Sequence, residues 1–388
     1  MGAVEMELNH HLLWLWAKEC LNYNNKKLLQ TVEFFGSIEE VYKCNDFRIC
    51  KILSEKEVRL LSKKDLRSAW ETYGLCEEQQ IGILTLEDST YPSMLREIDN
   101  PPCPLFFKGH LRSCLNAPLL TVVGSRTYNG YGEEKAKELV TALSCCGFTI
   151  VTGLADGIDS FACEAALQSD SSVIAVLPFG ILSSKGHLTR HFKEIIAKGA
   201  LVSEIFPQNG SHRFAYHERN RILSGISHGT LVVQAPEKSG ALMTANYACE
   251  QNRDLFAVMA NADSFSAGSN RLIKEGCYPV TDYTDILQIY LPRFSDRLTE
   301  LHAPAEKIFS LQEELQAEKL KDFKRTQIKE LTQAEQAVFA LLSTEECTAD
   351  YLIENAGLPV HEVLQCLTTL EFRGLAVSCP GSKFKVIL

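Results

Sequence analysis

Val122-Val123-Gly124-Ser125-Arg126 and Thr152-Gly153-Leu154-Ala155-Asp156-Gly157-Ile158-Asp159 are two glycine turns, each placed after a short apolar run. The runs are Leu119 to Val123 and Phe148 to Val151. A helix is expected to open near Gly132-Glu133 after the first turn, and another directly after the second. The spacing suits one parallel strand–helix–strand unit of about 30 residues. Glycine lets the backbone turn sharply and lets another group approach it closely. A helix N-terminus adds unpaired N–H groups and the positive end of a dipole, so such a turn can hold an anion. Arg126 sets a permanent cation beside the first turn.

The glycine spacing excludes two common nucleotide loops. Gly124, Gly130 and Gly132 do not form G-x-G-x-x-G, and no G-x-x-x-x-G-K-[ST] run exists. The plainer alternative is that both glycine turns only join strand to helix. A third turn, Lys238-Ser239-Gly240, follows the apolar run Thr230 to Val233 and opens a helix through Cys249, with Ser239 as its expected N-cap. Further apolar runs at 173–177 and 255–259 complete the pattern of a doubly wound, mainly parallel α/β sheet. In such sheets ligands bind where the strands' carboxyl ends gather. Three anion-binding turns on one rim, two of them with a cation beside them, suit a polymer with repeated phosphates. Arg219-Asn220-Arg221 sits before an apolar helical run. The arginines either join that rim or form internal ion pairs with Glu218 or Glu204. Tyr128, Phe214 and Tyr216 are the candidates for base stacking.

Taken in order, the blocks VGSR, GLADGID, FAYHERNRILSGIS, LVVQAP, SGALMTA, FAV and SNRLIKEG closely resemble the DprA/Smf family. The likeness runs from about Ile83 to Ile286 and includes the approach segment Ile83 to Pro92. It implies a Rossmann-like fold and a mediator of homologous recombination in natural transformation. Such a mediator binds and protects single-stranded DNA and helps load a RecA-type recombinase. It also implies a cytoplasmic homodimer that is not an enzyme and needs no cofactor or metal. Carried onto this chain, the DNA contacts would be Gly124, Ser125, Arg126, Gly153, Arg213, Arg219, Asn220, Arg221, Lys238, Ser239, Gly240 and Thr244. Asp156 stands where the family usually has arginine, which implies a weaker phosphate contact at that loop. Leu177-Pro178-Phe179-Gly180, Met259-Ala260-Asn261 and Asn252-Arg253-Asp254 depart from the family pattern as well.

The formal net charge of −10 does not announce a nucleic-acid binder, so any positive groove must be local, built from Arg126, Arg213, Arg219, Arg221 and Lys238. No apolar stretch approaches the length of a membrane span, and the start Met1 to Glu7 has no basic region before an apolar one. Met6 breaks a myristoylation pattern at Gly2. The 14 cysteines contain no C-x-x-C pair and read as reduced, mostly core residues. His187 and His191 are four apart but have no evident third ligand, so no metal is expected there.

Four segments are expected: small helices over 1–82, of sterile-alpha-motif or helix-hairpin-helix type; the sheet domain over 83–292; a charged linker over 293–331, interrupted at Pro304; and a winged helix over 332–388. The winged helix carries seven acidic against three basic residues, and its third helix, Pro359 to Phe372, has neither Arg nor Lys. That pattern reads as a protein-docking or self-docking module rather than a duplex reader. The rival function is a phosphoribohydrolase of the lysine-decarboxylase-like group. Lys238-Ser239-Gly240 lacks that group's double glycine, and Glu250 lies too far past Thr244. Glu204 and Asp159 are loose carboxylates that the sequence cannot bring together.

Overall fold

A computed structural model describes residues 9–183, 189–299, 331–342, 347–373, 375–379 and 383–386. His187, most of the charged segment with Pro304, and the expected hairpin turn at Pro380-Gly381 lie outside these residues. The chain divides into two compact units, Met1–His302 and Ala303–Leu388.

The first helix, His10–Cys20, is capped by Asn9, whose side chain accepts the His11 N–H. Its residues Leu12 to Lys18 are buried on every side, so this helix is the centre of its bundle. Asn25–Phe35, Ile38–Lys43, Glu55–Lys63 and Arg67–Glu78 surround it. Ser54 and Glu57 close a capping box at the fourth helix.

Nine strands form the main sheet. They are β1 (Gly82–Leu84), β2 (Leu105–Gly109), β3 (Leu119–Val123), β4 (Thr149–Thr152), β5 (Val173–Val176), β6 (Ala200–Ser203), β7 (Gly229–Val232), β8 (Asp254–Val258) and β9 (Tyr278–Val280). Their order is β1-β2-β6-β5-β4-β3-β7-β8-β9. Strands β3 to β9 pair in parallel, and β1 and β2 add an antiparallel edge that the sequence reading did not foresee. The five expected strands fall within a residue of the observed ones.

Leu119 and Val123 pack in one cluster with Ile222, Leu223, Ile226 and Ala245. The intervening Leu120 and Val122 are equally buried. By the two-residue alternation they face the other side, so β3 is covered on both faces. Thr121 tolerates that burial because its hydroxyl donates to Leu223 O at 2.6 Å. The chain winds outward from β3 through β4 and β5, then returns to β7 on its other side. The reversal leaves a crevice at the carboxyl ends of β3, β4 and β7.

The second unit has helices Gln333–Leu341, Ala349–Asn355 and Val360–Phe372. Its strands are β10 (Cys347–Thr348), β11 (Ala376–Cys379) and β12 (Lys383–Val386), in the order β10-β12-β11. Thr332 with Glu335 caps the first of these helices and Thr348 the second. Val338, Leu352, Val363, Leu367 and Leu370 make its core. The two-residue β10 is too short to show as a sequence period.

Candidate functional site

Asp159 organises the crevice floor. It lies at the start of the helix Ile158–Gln168 and is only 4% exposed. Its Oδ1 accepts the Gly124 N–H at 3.2 Å, and the backbone N–H groups of Ala155 and Gly153 also support the carboxylate. Burial raises its pKa to about 6, against the opposing pull of Arg219 and these N–H groups. The first two turns therefore hold an anion, and it is the protein's own carboxylate.

Arg219 answers it. From the helix Ala215–Ile226 its Nη1 donates to Gly153 O at 2.8 Å and Val176 O at 2.5 Å, and its Nε to Asn220 Oδ1 at 3.2 Å. Burial lowers its pKa to about 10, where it still carries its charge at neutral pH. Glycine at 153 makes room for this side chain, since a Cβ there would sit 2.4 Å from Nη1. Gly157 has φ +85°, and a Cβ there would lie 2.5 Å from Ser125 O, so it locks the two turns together. Gly153 thus gives space to the Arg219 side chain, and Gly157 lets the two turns approach each other.

Above this neutralised floor is a cavity of about 350 Å³ lined by Gly124, Ser125, Arg126, Arg219, Asn220, Lys238, Ser239, Gly240 and Thr244. Nine of the twelve expected contacts thus share one wall. Arg126 and Lys238 are exposed cations on its rim. The Arg126 guanidinium lies 5.4 Å from the Tyr216 ring centroid, a cation–π distance. Ser239 caps the helix Gly240–Glu250 by accepting the Ala241 N–H at 3.3 Å. A Cβ on Gly240 would meet nothing within 4 Å, so the rim is open there.

Gly153 lines an adjoining cavity of about 180 Å³ with Arg126, Asp156, Leu177, Phe179 and Tyr216. Asp156 is exposed in its loop. Arg213 lines neither cavity; it is exposed, its guanidinium 5.3 Å from the ring of Phe214, which is itself exposed. Tyr128 is turned edge-on to Phe161, with centroids 5.0 Å apart.

Arg221 belongs elsewhere. Its Nη2 donates to Glu204 Oε2 at 2.7 Å, and the buried Lys18 donates to Glu204 Oε1 at 3.3 Å. Lys18 also reaches Asn25 Oδ1 and Cys103 O. Burial would raise the Glu204 pKa, but Arg221 and Lys18 hold it below the ordinary value. Arg221 is therefore the internal ion pair that the sequence left open, and it lines a different cavity, of about 600 Å³, with Lys18 and Glu204. About half a helical turn separates the fates of the two arginines, because positions two apart point to different faces.

Sequence reasoning missed His217 on the rim, and Leu177, Pro178 and Phe179 on the smaller cavity. The last three follow β5 directly. Their place after a strand's carboxyl end was the available signal. It also missed Gln234, whose Nε2 donates to Asn129 Oδ1 at 2.9 Å and to Ser266 Oγ at 3.1 Å, supporting the cap of the helix Gly130–Cys145.

Residues 82–291 match the family model described as DNA recombination-mediator protein A, and residues 324–382 match that of the DprA winged helix domain. The protein Smf of Escherichia coli (strain K12) is 33% identical over 311 residues, which is 79% of this chain and 77% of the relative. The DNA processing protein DprA of Streptococcus pneumoniae is 36% identical over 213 residues, covering 54% of this chain and 75% of the relative. The X-ray structure of the S. pneumoniae protein superposes with a TM-score of 0.62 at 28% identity, over 73% of this chain and 98% of that one. A structure of DNA processing protein A from Helicobacter pylori, reported for its single-stranded DNA binding mode, gives 0.50 at 24% identity, over 55% and 97%.

Proposed function

This chain belongs to the DNA recombination-mediator protein A family, and on that premise we propose that it binds and protects single-stranded DNA at the crevice rim and passes it to a RecA-type recombinase. The observation that carries the reading is the pair of exposed cations, Arg126 and Lys238, on the rim of a cavity whose buried charges cancel. A neutral floor leaves the rim cations to act on an incoming phosphate. The Arg126–Tyr216 stack offers a planar face to an unpaired base. The acidic body disfavours the stiff, highly charged duplex and leaves a local positive strip for the flexible strand.

The contact set proposed is Gly124, Ser125, Arg126, Gly153, Asn220, Lys238, Ser239, Gly240 and Thr244. Arg213 lies at its margin, and Arg219 acts from beneath. We further propose a cytoplasmic homodimer working in natural transformation or homologous recombination, with the four-segment division given above and the winged helix as a protein-docking module. Among the described residues no helix is long and apolar enough to cross a membrane. The phosphoribohydrolase alternative needs a carboxylate free to meet a glycosidic bond. The carboxylate in this cavity, Asp159, instead spends its oxygens on backbone N–H groups beneath the rim.

The test is binding of fluorescent single- and double-stranded oligonucleotides across a salt series, with Arg126→Ala and Lys238→Ala. Each variant is expected to weaken single-strand binding and to lower the slope of log K against log salt by roughly 0.7, the value for one phosphate on a single strand. Equal affinity for duplex, or an affinity and slope unmoved by both substitutions, would sink the reading.

A further inference from the structure

Far along the chain from the crevice residues, two adjacent histidines meet one aspartate. His10 and His11 open the first helix, with ring centroids 4.1 Å apart. Asp88 lies in the turn after β1. His10 Nε2 is 3.4 Å from Asp88 Oδ1, and His11 Nε2 is 3.1 Å from Asp88 Oδ2. All three ligand atoms lie within 4.8 Å of one another.

The decisive detail is His10 Nε2. It is buried, and it makes no hydrogen bond, even with a carboxylate oxygen 3.4 Å away. A buried imidazole nitrogen without a partner is costly. It becomes reasonable if the lone pair points at a shared position that both histidines and the carboxylate can reach.

We propose that His10, His11 and Asp88 bind one zinc ion, which pins the first helix to the turn after β1. Zinc–nitrogen and zinc–carboxylate bonds are about 2.0–2.2 Å, so ligand atoms on a tetrahedron lie about 3.3 Å apart. The nitrogen–oxygen separations are near that length, 3.4 Å from His10 to Oδ1 and 3.1 Å from His11 to Oδ2, the second a hydrogen bond that the ion would replace. Two imidazoles and one carboxylate suit zinc rather than magnesium or calcium, which take oxygen ligands.

The carboxylate is held ready. Asp88 Oδ2 accepts the Thr85 N–H at 2.6 Å and the Thr85 hydroxyl at 2.9 Å, the outer-shell support that orients a metal-bound carboxylate. The three side chains are 34%, 21% and 18% exposed, so an ion has a path in and a water can complete the fourth position. Glu87 and Glu77 add negative charge nearby. No spacing motif announces this site, because the third ligand lies far along the chain from the other two.

The experiment uses the full chain after chelation and dialysis, titrated with zinc and, for spectroscopy, with cobalt(II). The 14 cysteines are competing ligands, so the cobalt spectrum matters. The expected result is one ion per chain, a cobalt spectrum without thiolate-to-metal charge transfer, and a Tm that rises with zinc. His10→Ala and the size-matched His10→Gln should abolish that rise, each compared with its own metal-free Tm. Thr85→Val should weaken binding by about tenfold or more through Asp88. A thiolate band, no stoichiometric binding, or zinc stabilisation that survives in both His10 variants would overturn the site.

Discussion

Asp159→Asn separates the cost of the buried carboxylate from its use. The folded pKa near 6 stands against 3.8 for the ordinary side chain. The folded state therefore holds a proton more tightly than the unfolded state, and stability falls as pH rises through this window. The ionised carboxylate accordingly weighs against folding at neutral pH, and acidification relieves that weight. The full difference is about 3 kcal/mol, reached only below both values. Between about pH 7.5 and about pH 5 it is about 1.4 kcal/mol. Asparagine keeps an acceptor for the Gly124 N–H but does not titrate. The stability of the native protein minus that of Asp159→Asn should therefore increase by about 1.4 kcal/mol on going from about pH 7.5 to about pH 5. Taking the difference cancels groups common to both proteins, including His228, whose pKa burial lowers. Urea unfolding followed by tryptophan fluorescence suits the purpose, because all three tryptophans, Trp14, Trp16 and Trp70, lie in the first unit and the winged helix is silent. A difference that is flat with pH, or that shrinks on acidification, would refute the picture of a carboxylate held ionised against burial.

Arg221→Met should destabilise the first unit by about 3–5 kcal/mol, because it strips one partner from a buried Lys18–Glu204–Arg221 triad. The same urea assay reads it, and a loss under about 1 kcal/mol would show that the triad is well solvated. Asp156→Arg puts a cation into the cavity that Arg126 also lines and should tighten single-strand binding several-fold, while raising the salt slope by roughly 0.7. Unchanged affinity would place the Asp156 loop off the DNA path. Deleting residues 332–388 should leave single-strand affinity within a few-fold, since the third helix of the winged domain has no Arg or Lys. A large loss with the first unit still folded by circular dichroism would assign that domain to DNA.

The main sheet was largely legible because its strands are nearly unbroken apolar runs ended by glycine turns. Leu119 to Val123 reads as a strand covered on both faces, and it is one. The antiparallel edge was not legible. Gly82–Leu84 has three residues, and Leu105–Gly109 follows a proline-rich stretch that masks any period. The apolar run Leu12 to Ala17 just before Lys18 did carry a usable signal. A helix apolar on all sides must be central, so a lysine within it must find a buried partner.

Local chemistry, then, settles what neighbours in sequence settle. It determined the strand–turn–helix units, the serine and asparagine caps, the cations beside the turns, and the crevice where those turns gather. Only the tertiary structure decided how each charge is used. Asp159, 35 residues from Gly124, fills the anion position the glycine turns create. Arg219 crosses 66 residues to Gly153 and stays beneath the cavity, while Arg221 turns to Glu204, which Lys18 reaches across 186 residues. A charge's role depends on its partners and on the water left around it. Both are set by which elements pack together, at separations over which local sequence pattern carries no information.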